Sequence, residues 1–240
     1  MMAEQSSPQN RIWELDFVRG VAIFAMCIIH VFALLPIAGG VEVQWNPFLL
    51  FVRRYGGVIF VMISGICVNF SKKPVKRGLI VFFCGMLLTG TTYFLYSFGF
   101  ETGKILIWWG TLHFLGFAMI VSPLLKKIPS WLMPFLAAFI IVLGYVLRGS
   151  NVTGSPLLLP LGVRFEGFVT FDWWPILPNI GWFMLGMWLG RLLYPERKSR
   201  INIVSEKTPG INLFCFIGRN SLIIYMVHFP IIYFAIKLIC

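Results

Sequence analysis

Only three histidines occur in the chain, His30, His113 and His228, and all three fall inside apolar runs. Imidazole titrates near neutrality and can serve as base, acid, nucleophile or ligand. Taken singly, each is accounted for as a hydrogen-bonded interior histidine. Arg53 and Arg54 stand early in a second apolar run. Snorkelling accounts for them, and the chemical alternative is an anion clamp built on the planar guanidinium fork. Residues 218–230 read GRNSLIIYMVHFP, with Ser221, Tyr225 and His228 at i, i+4 and i+7 on one helix face. Asn220 or Ser221 suits a helix cap. Arg219, with free backbone donors beside it, suits a phosphate. Residues 11–30 read RIWELDFVRGVAIFAMCIIH. Asp16 and Arg19 are spaced for an intrahelical ion pair, and the aspartate is favoured near a helix N-terminus. Asp16, Arg19, Ile23, Met26 and His30 share one helix face, and Asp16 and His30 are about 21 Å apart along the axis. Ionisable groups at such depth usually face a protein interior or a wet cavity.

The elements that carry these residues read as membrane spans. The 240 residues are 58% hydrophobic and only 12% charged, about half the charged share of a soluble domain. Seven stretches are long and apolar enough to cross a bilayer: 17–36, 48–70, 78–98, 105–125, 131–147, 174–194 and 211–238. The expected fold is all-α, one polytopic domain over residues 1–240 with about seven transmembrane helices. Basic residues gather in segments 71–78, 126–127 and 191–210, whereas 37–47, 99–104 and 148–173 are poor in them. Positive-inside therefore predicts a cytoplasmic N-terminus and an outer C-terminus. On that topology the three histidines lie at similar depth in the outer half. The connector 148–173, which holds Asp172, is long enough to be a lid or binding element. Its Asn151-Val152-Thr153 triplet matches a glycosylation acceptor.

The net charge of +11 is carried largely by those short connectors, where it sets topology and meets anionic lipid; nucleic acid is not an expected partner. The five cysteines have no metal or redox spacing, and small apolar packing accounts for them. No phosphate-binding GxxxxGK[ST] loop, GxSxG elbow or HExxH helix is present. No metal is expected, because the histidines lack acidic or thiol partners at ligand spacing.

Five pieces in order resemble one family: RIWELDFVRGVAIFAMCIIH, FVMISGICVNFSKKPVKRG, GTLHFLGFAMIVSPLL, DWWPILPNIGWFMLGMWLGR and GRNSLIIYMVHFPIIY. Together they look like the heparan-α-glucosaminide N-acetyltransferase-like transmembrane acyltransferases, over nearly the whole chain. The resemblance implies transfer of an acetyl or other acyl group from cytoplasmic acyl-CoA to an amino sugar or other glycan on the outer face. It maps the family's Asp and Arg-Gly pattern onto Asp16, Arg19 and Gly20, its polar residue late in span one onto His30, and its histidines in spans four and seven onto His113 and His228. On this reading His30, His113 and His228 are the catalytic candidates, through base catalysis or an acyl-imidazole. Arg53, Arg54, Tyr225 and Asp172 are the acceptor-binding candidates. Asp16, Arg19, Arg219 and Asn220 face the acyl-CoA, together with the 72–77 loop. The expected setting is the plasma (bacterial inner) membrane, with a homodimer left open. The rival class is a small-solute transporter or permease using the same His and Arg groups as a relay. A non-catalytic membrane partner is the third.

Overall fold

The structure is a computed structural model and describes residues 12–99, 105–149, 154–201 and 208–240. Asn46 and Pro47 show how local sequence starts a helix. The Asn46 side chain accepts the Leu49 N–H at 2.8 Å, and proline at the first position has no N–H to satisfy. Eight α-helices are described: α1 Trp13–Ala38, α2 Pro47–Val68, α3 Pro74–Ser97, α4 Thr111–Leu125, α5 Met133–Gly149, α6 Ile176–Leu193, α7 Pro209–Arg219 and α8 Ser221–Ile239. A 3-10 turn, Pro156–Leu161, precedes α6 and ends on Gly162 at φ 115, a conformation that favours glycine. No strand occurs among the described residues; Trp109 and Trp173 form an isolated parallel bridge.

Five helices, α1, α2, α3, α6 and α8, are long and apolar enough to cross a membrane. Large apolar side chains point outward from them, such as Phe48, Phe83 and Ile231. That is the pattern of a chain whose solvent is lipid. Helices α4 and α5 are apolar but shorter. Of the expected segments, 105–125 begins as a helix only at Thr111, because residues before it are extended and bonded to the chain ahead of α6. The Asn151-Val152-Thr153 triplet lies outside the described residues, as do 202–207 of the last basic connector.

The segment expected as one span over 211–238 is two helices. Asn220 has φ −100 and ψ 18 and ends α7 and starts α8. The reason lies in how each helix meets α1. Phe214 packs on both Phe17 and Phe24, and a Cβ on Gly218 would strike the Asp16 carbonyl, so α7 is seated against the first half of α1. Helix α8 then rises beside α1, with Tyr225 clustered with Ile23, His228 beside His30, and Ile236 beside Gly39.

Glycine sets these approaches. A Cβ on Gly20 would strike the Phe214 carbonyl, and one on Gly218 the Asp16 carbonyl. Gly65 and Gly186 do the same between α2 and α6. In lipid there is no hydrophobic drive to join helices, so small residues that let backbones touch supply the packing. A buried cluster including Val61, Phe114, Met133, Phe183 and Met187 joins α2, α4, α5 and α6. The polar face of α1 is left toward α2, α7 and α8, where the cavities lie.

Candidate active site

Before α4 the chain is extended, and it is zipped to the segment ahead of α6. Phe171 N–H donates to Leu106 O at 2.8 Å and Trp174 N–H to Trp109 O at 2.9 Å. The Thr170 hydroxyl adds a bond to Leu106 O. This pairing carries Asp172 to the N-terminus of α4. Its Oδ2 accepts the Thr111 N–H at 2.8 Å and the Tyr225 hydroxyl at 3.1 Å, and its Oδ1 accepts the Thr111 hydroxyl at 3.2 Å. Desolvation pushes the carboxyl above the ordinary carboxylate range, while these hydrogen bonds pull the other way. Replacing Asp172 by alanine strands the Thr111 and Tyr225 donors, each worth about 1–3 kcal/mol when left unpaired. Asp172→Ala is therefore expected to melt well below wild type in detergent. Asp172→Asn, which keeps a carbonyl acceptor, should fall between the two.

A cavity of about 690 Å³ opens beside this junction. Its polar groups come from His30, Arg53, Thr111, Thr170, Asp172 and Tyr225, and its walls include Trp45, Phe171, Trp173 and Trp174. Gly57 makes room for the Trp174 ring, which a Cβ would strike. His30 Nδ1 lies 2.9 Å from Met26 O, and His228 Nδ1 lies 2.7 Å from Tyr225 O. A carbonyl only accepts, so in each neutral ring Nδ1 carries the hydrogen and Nε2 keeps a lone pair. The two rings stand edge to face with centroids 4.9 Å apart. His228 is buried, and its Nε2 has no hydrogen-bond partner among the described residues.

His113 is held differently and does not line the cavity. Its Nδ1 accepts the Gly110 N–H at 3.2 Å, which places the hydrogen on Nε2, 3.4 Å from the Thr89 hydroxyl. Both nitrogens are engaged, the ring stacks on Trp109 at 5.6 Å, and no lone pair is free for proton transfer. His113 secures the first turn of α4. The shared depth of three histidines resolves into one close pair and one satisfied residue.

Arg53 and Arg54 also separate. Arg53 sits over the Trp45 ring at 4.6 Å and lines the cavity. Arg54 lies over Tyr55 at 5.8 Å and is not part of the lining. Adjacent residues on a helix point about 100° apart, and here that rotation turns Arg54 away from the cavity that Arg53 lines.

A second cavity of about 380 Å³ is lined by Arg19, Arg77 and Arg219, with Ser64, Ser71 and Ser221. Tyr225 and Phe60 border both cavities. Arg19 is fixed by Asp16 Oδ1 at 3.4 Å and by Cys67 Sγ at 2.7 Å. Asp16 thus aims Arg19 and does not itself line the cavity. Asn220 does not line it either: its Nδ2 donates to Phe216 O at 2.9 Å, closing the end of α7, and it makes no side-chain cap on α8. Of the 72–77 segment expected to face acyl-CoA, Arg77 alone lines this cavity, from the first turn of α3; Thr111 was not among the expected site residues. The aromatic walls were legible only as the DWWP segment. Among the described residues, no group of three or more His, Cys, Asp or Glu side chains could hold a metal ion.

The arrangement can therefore hold a polyanion among three arginines and present the lone-pair imidazole of His30, with His228 buried behind it and not lining the cavity, in an adjoining, aromatic-walled space. Residues 11–230 match the family described as heparan-alpha-glucosaminide N-acetyltransferase, catalytic. No curated protein and no solved structure matches the chain.

Proposed function

This chain belongs to the heparan-alpha-glucosaminide N-acetyltransferase catalytic family, and we propose that it transfers an acetyl or other acyl group from acyl-CoA to an amino sugar or other glycan acceptor. The observation that carries the proposal is the shared wall: Tyr225 and Phe60 border both the arginine cavity and the histidine cavity. A donor held in one and an acceptor held in the other meet at that wall.

Seven crossings are proposed, by α1 to α6 and α8, with α7 seated against α1 at the cytoplasmic side. The N-terminus is then cytoplasmic, as the basic connectors indicate, and the arginine cavity opens on the side where acyl-CoA is made. Arg19, Arg77 and Arg219 bind the CoA phosphates through charge-assisted hydrogen bonds. The pantetheine arm carries the thioester toward Tyr225. The acceptor stacks against Trp45, Phe171 and Trp174, with Arg53 at its edge. His30 Nε2 takes the proton from the acceptor amine or hydroxyl as its nitrogen or oxygen attacks the thioester carbonyl. The C–S bond breaks, the CoA thiolate leaves, and the proton on His30 is released to it or to water. The plasma (bacterial inner) membrane is the proposed site of this reaction.

Purified protein given labelled acetyl-CoA and an amino-sugar panel is expected to release CoA and label a sugar. Absence of both CoA release and CoA binding overturns the proposal. Solute flux in proteoliposomes without acyl-CoA would instead mark a permease. Arg19→Gln removes a charged hydrogen-bond donor worth about 1.5–3 kcal/mol. It is expected to raise KM for acyl-CoA at least about tenfold with little change in kcat.

A further inference from the structure

Trp173 carries two arginines. The guanidinium carbon of Arg148, at the end of α5, lies 5.2 Å from the indole centre. That of Arg164, in the connector before α6, lies 4.8 Å from it. The indole itself is immobilised: its Nε1 donates to Leu159 O at 3.2 Å, and Phe168 packs edge-on against it at 5.3 Å. The Arg164 backbone is held by the Gly154 N–H at 2.9 Å. Two cations thus lie within about 5 Å of the centre of one fixed ring.

Neither guanidinium forms an ion pair with a carboxylate among the described residues. The negative end of α5 and the face of the indole favour one arginine there. A second like charge beside the first is repelled unless an anion lies between them. Arg148 Nε is moreover buried and has no hydrogen-bond partner among the described residues. A buried N–H left unpaired is a donor waiting for an acceptor, and a planar fork with that donor is matched by a tetrahedral oxyanion. Trp173 also belongs to the wall of the histidine cavity.

We propose that Arg148 and Arg164, gripping Trp173 at the margin of the histidine cavity, form a binding site for a phosphate group. The group is borne either by a soluble molecule or by a lipid head, and both present the same oxygens to the two forks. The site adjoins the histidine cavity through Trp173, and its test reads anion binding and needs no acyl transfer.

Full-length protein in neutral detergent is titrated with sodium phosphate at constant ionic strength, and thermal stability is followed. A saturable rise in Tm is expected. Arg164→Gln, an exposed position that folding tolerates, should raise the apparent Kd for phosphate at least about tenfold. The double change with Arg148→Gln should abolish the rise that persists in an Arg19→Gln background, where phosphate binding in the arginine cavity is weakened, and Lys127→Gln, an exposed lysine outside both sites, should leave it intact. In nanodiscs of phosphatidylcholine alone, added phosphate stabilises the protein if the ligand is soluble, and equally so when phosphatidylglycerol is included. If a lipid head fills the site, phosphatidylglycerol itself stabilises wild type but not Arg164→Gln, and added phosphate then does nothing more. No anion-dependent shift in either arm, or an equal shift in Arg164→Gln, overturns the proposal.

Discussion

His30→Ala is expected to lower kcat for acyl transfer by about 10²–10⁴-fold, the range typical of a lost general base. Three features single His30 out. Its ring lines the larger cavity, whereas His113 does not. Its Nδ1–H is committed to Met26 O, which leaves the Nε2 lone pair for the acceptor. And His228 stands edge-on beside it with a buried Nε2 of its own, so a proton arriving on His30 has a second basic nitrogen nearby. His228→Ala should therefore lower kcat too, but by less. Acetyl-CoA binding, read as a rise in Tm, should survive both changes because the arginine cavity is untouched. Full activity in His30→Ala removes it as the base. Loss of CoA binding together with activity would show instead that the residue holds the fold.

The second large effect concerns stability. Gly218→Val is expected to prevent the α1–α7 contact from forming. The first carbon of the new side chain would meet the Asp16 carbonyl, and backbone on both sides leaves nothing flexible to yield. Overpacking of this kind costs about 1–3 kcal/mol, more where backbone must move. At roughly 2–4 °C per kcal/mol for a chain of this size, Tm in detergent should fall by about 10 °C, or folded protein should not be recovered. Gly20→Val, on the opposing helix, should behave alike. Gly210→Ala is the control: it lies in the first turn of the same helix, and an added Cβ there meets nothing within 4 Å. Unchanged Tm in Gly218→Val would mean that α7 does not rest on α1 as described.

Much of this architecture is local and was legible in the chain. Apolar runs of roughly 20 residues need only composition to declare themselves, because lipid demands continuous apolar surface and internally paired backbone. The Asp16–Arg19 pair follows from i, i+3 spacing alone and is present at 3.4 Å. That His30 belongs to the polar face of the first helix follows from the 3.6-residue period.

Other features depend on contacts between distant residues, and no period or motif encodes those. Whether residues 211–238 run straight or break at Asn220 depends on where Phe214 and Gly218 meet α1, about 200 positions away in sequence. Asp172 reaches Thr111 and Tyr225 only because two extended segments pair across the bundle. Arg77 joins Arg19 and Arg219 only once three separate helices converge. The histidines make the distinction sharpest. The sequence by itself determined that three imidazoles sit within apolar helices. The Nδ1 partners are local, Met26 O, Tyr225 O and the Gly110 N–H three or four residues away; only the tertiary structure decided the rest, because packing between helices sets His228 edge-on to His30 and brings the Thr89 hydroxyl to Nε2 of His113, which leaves that ring no free base.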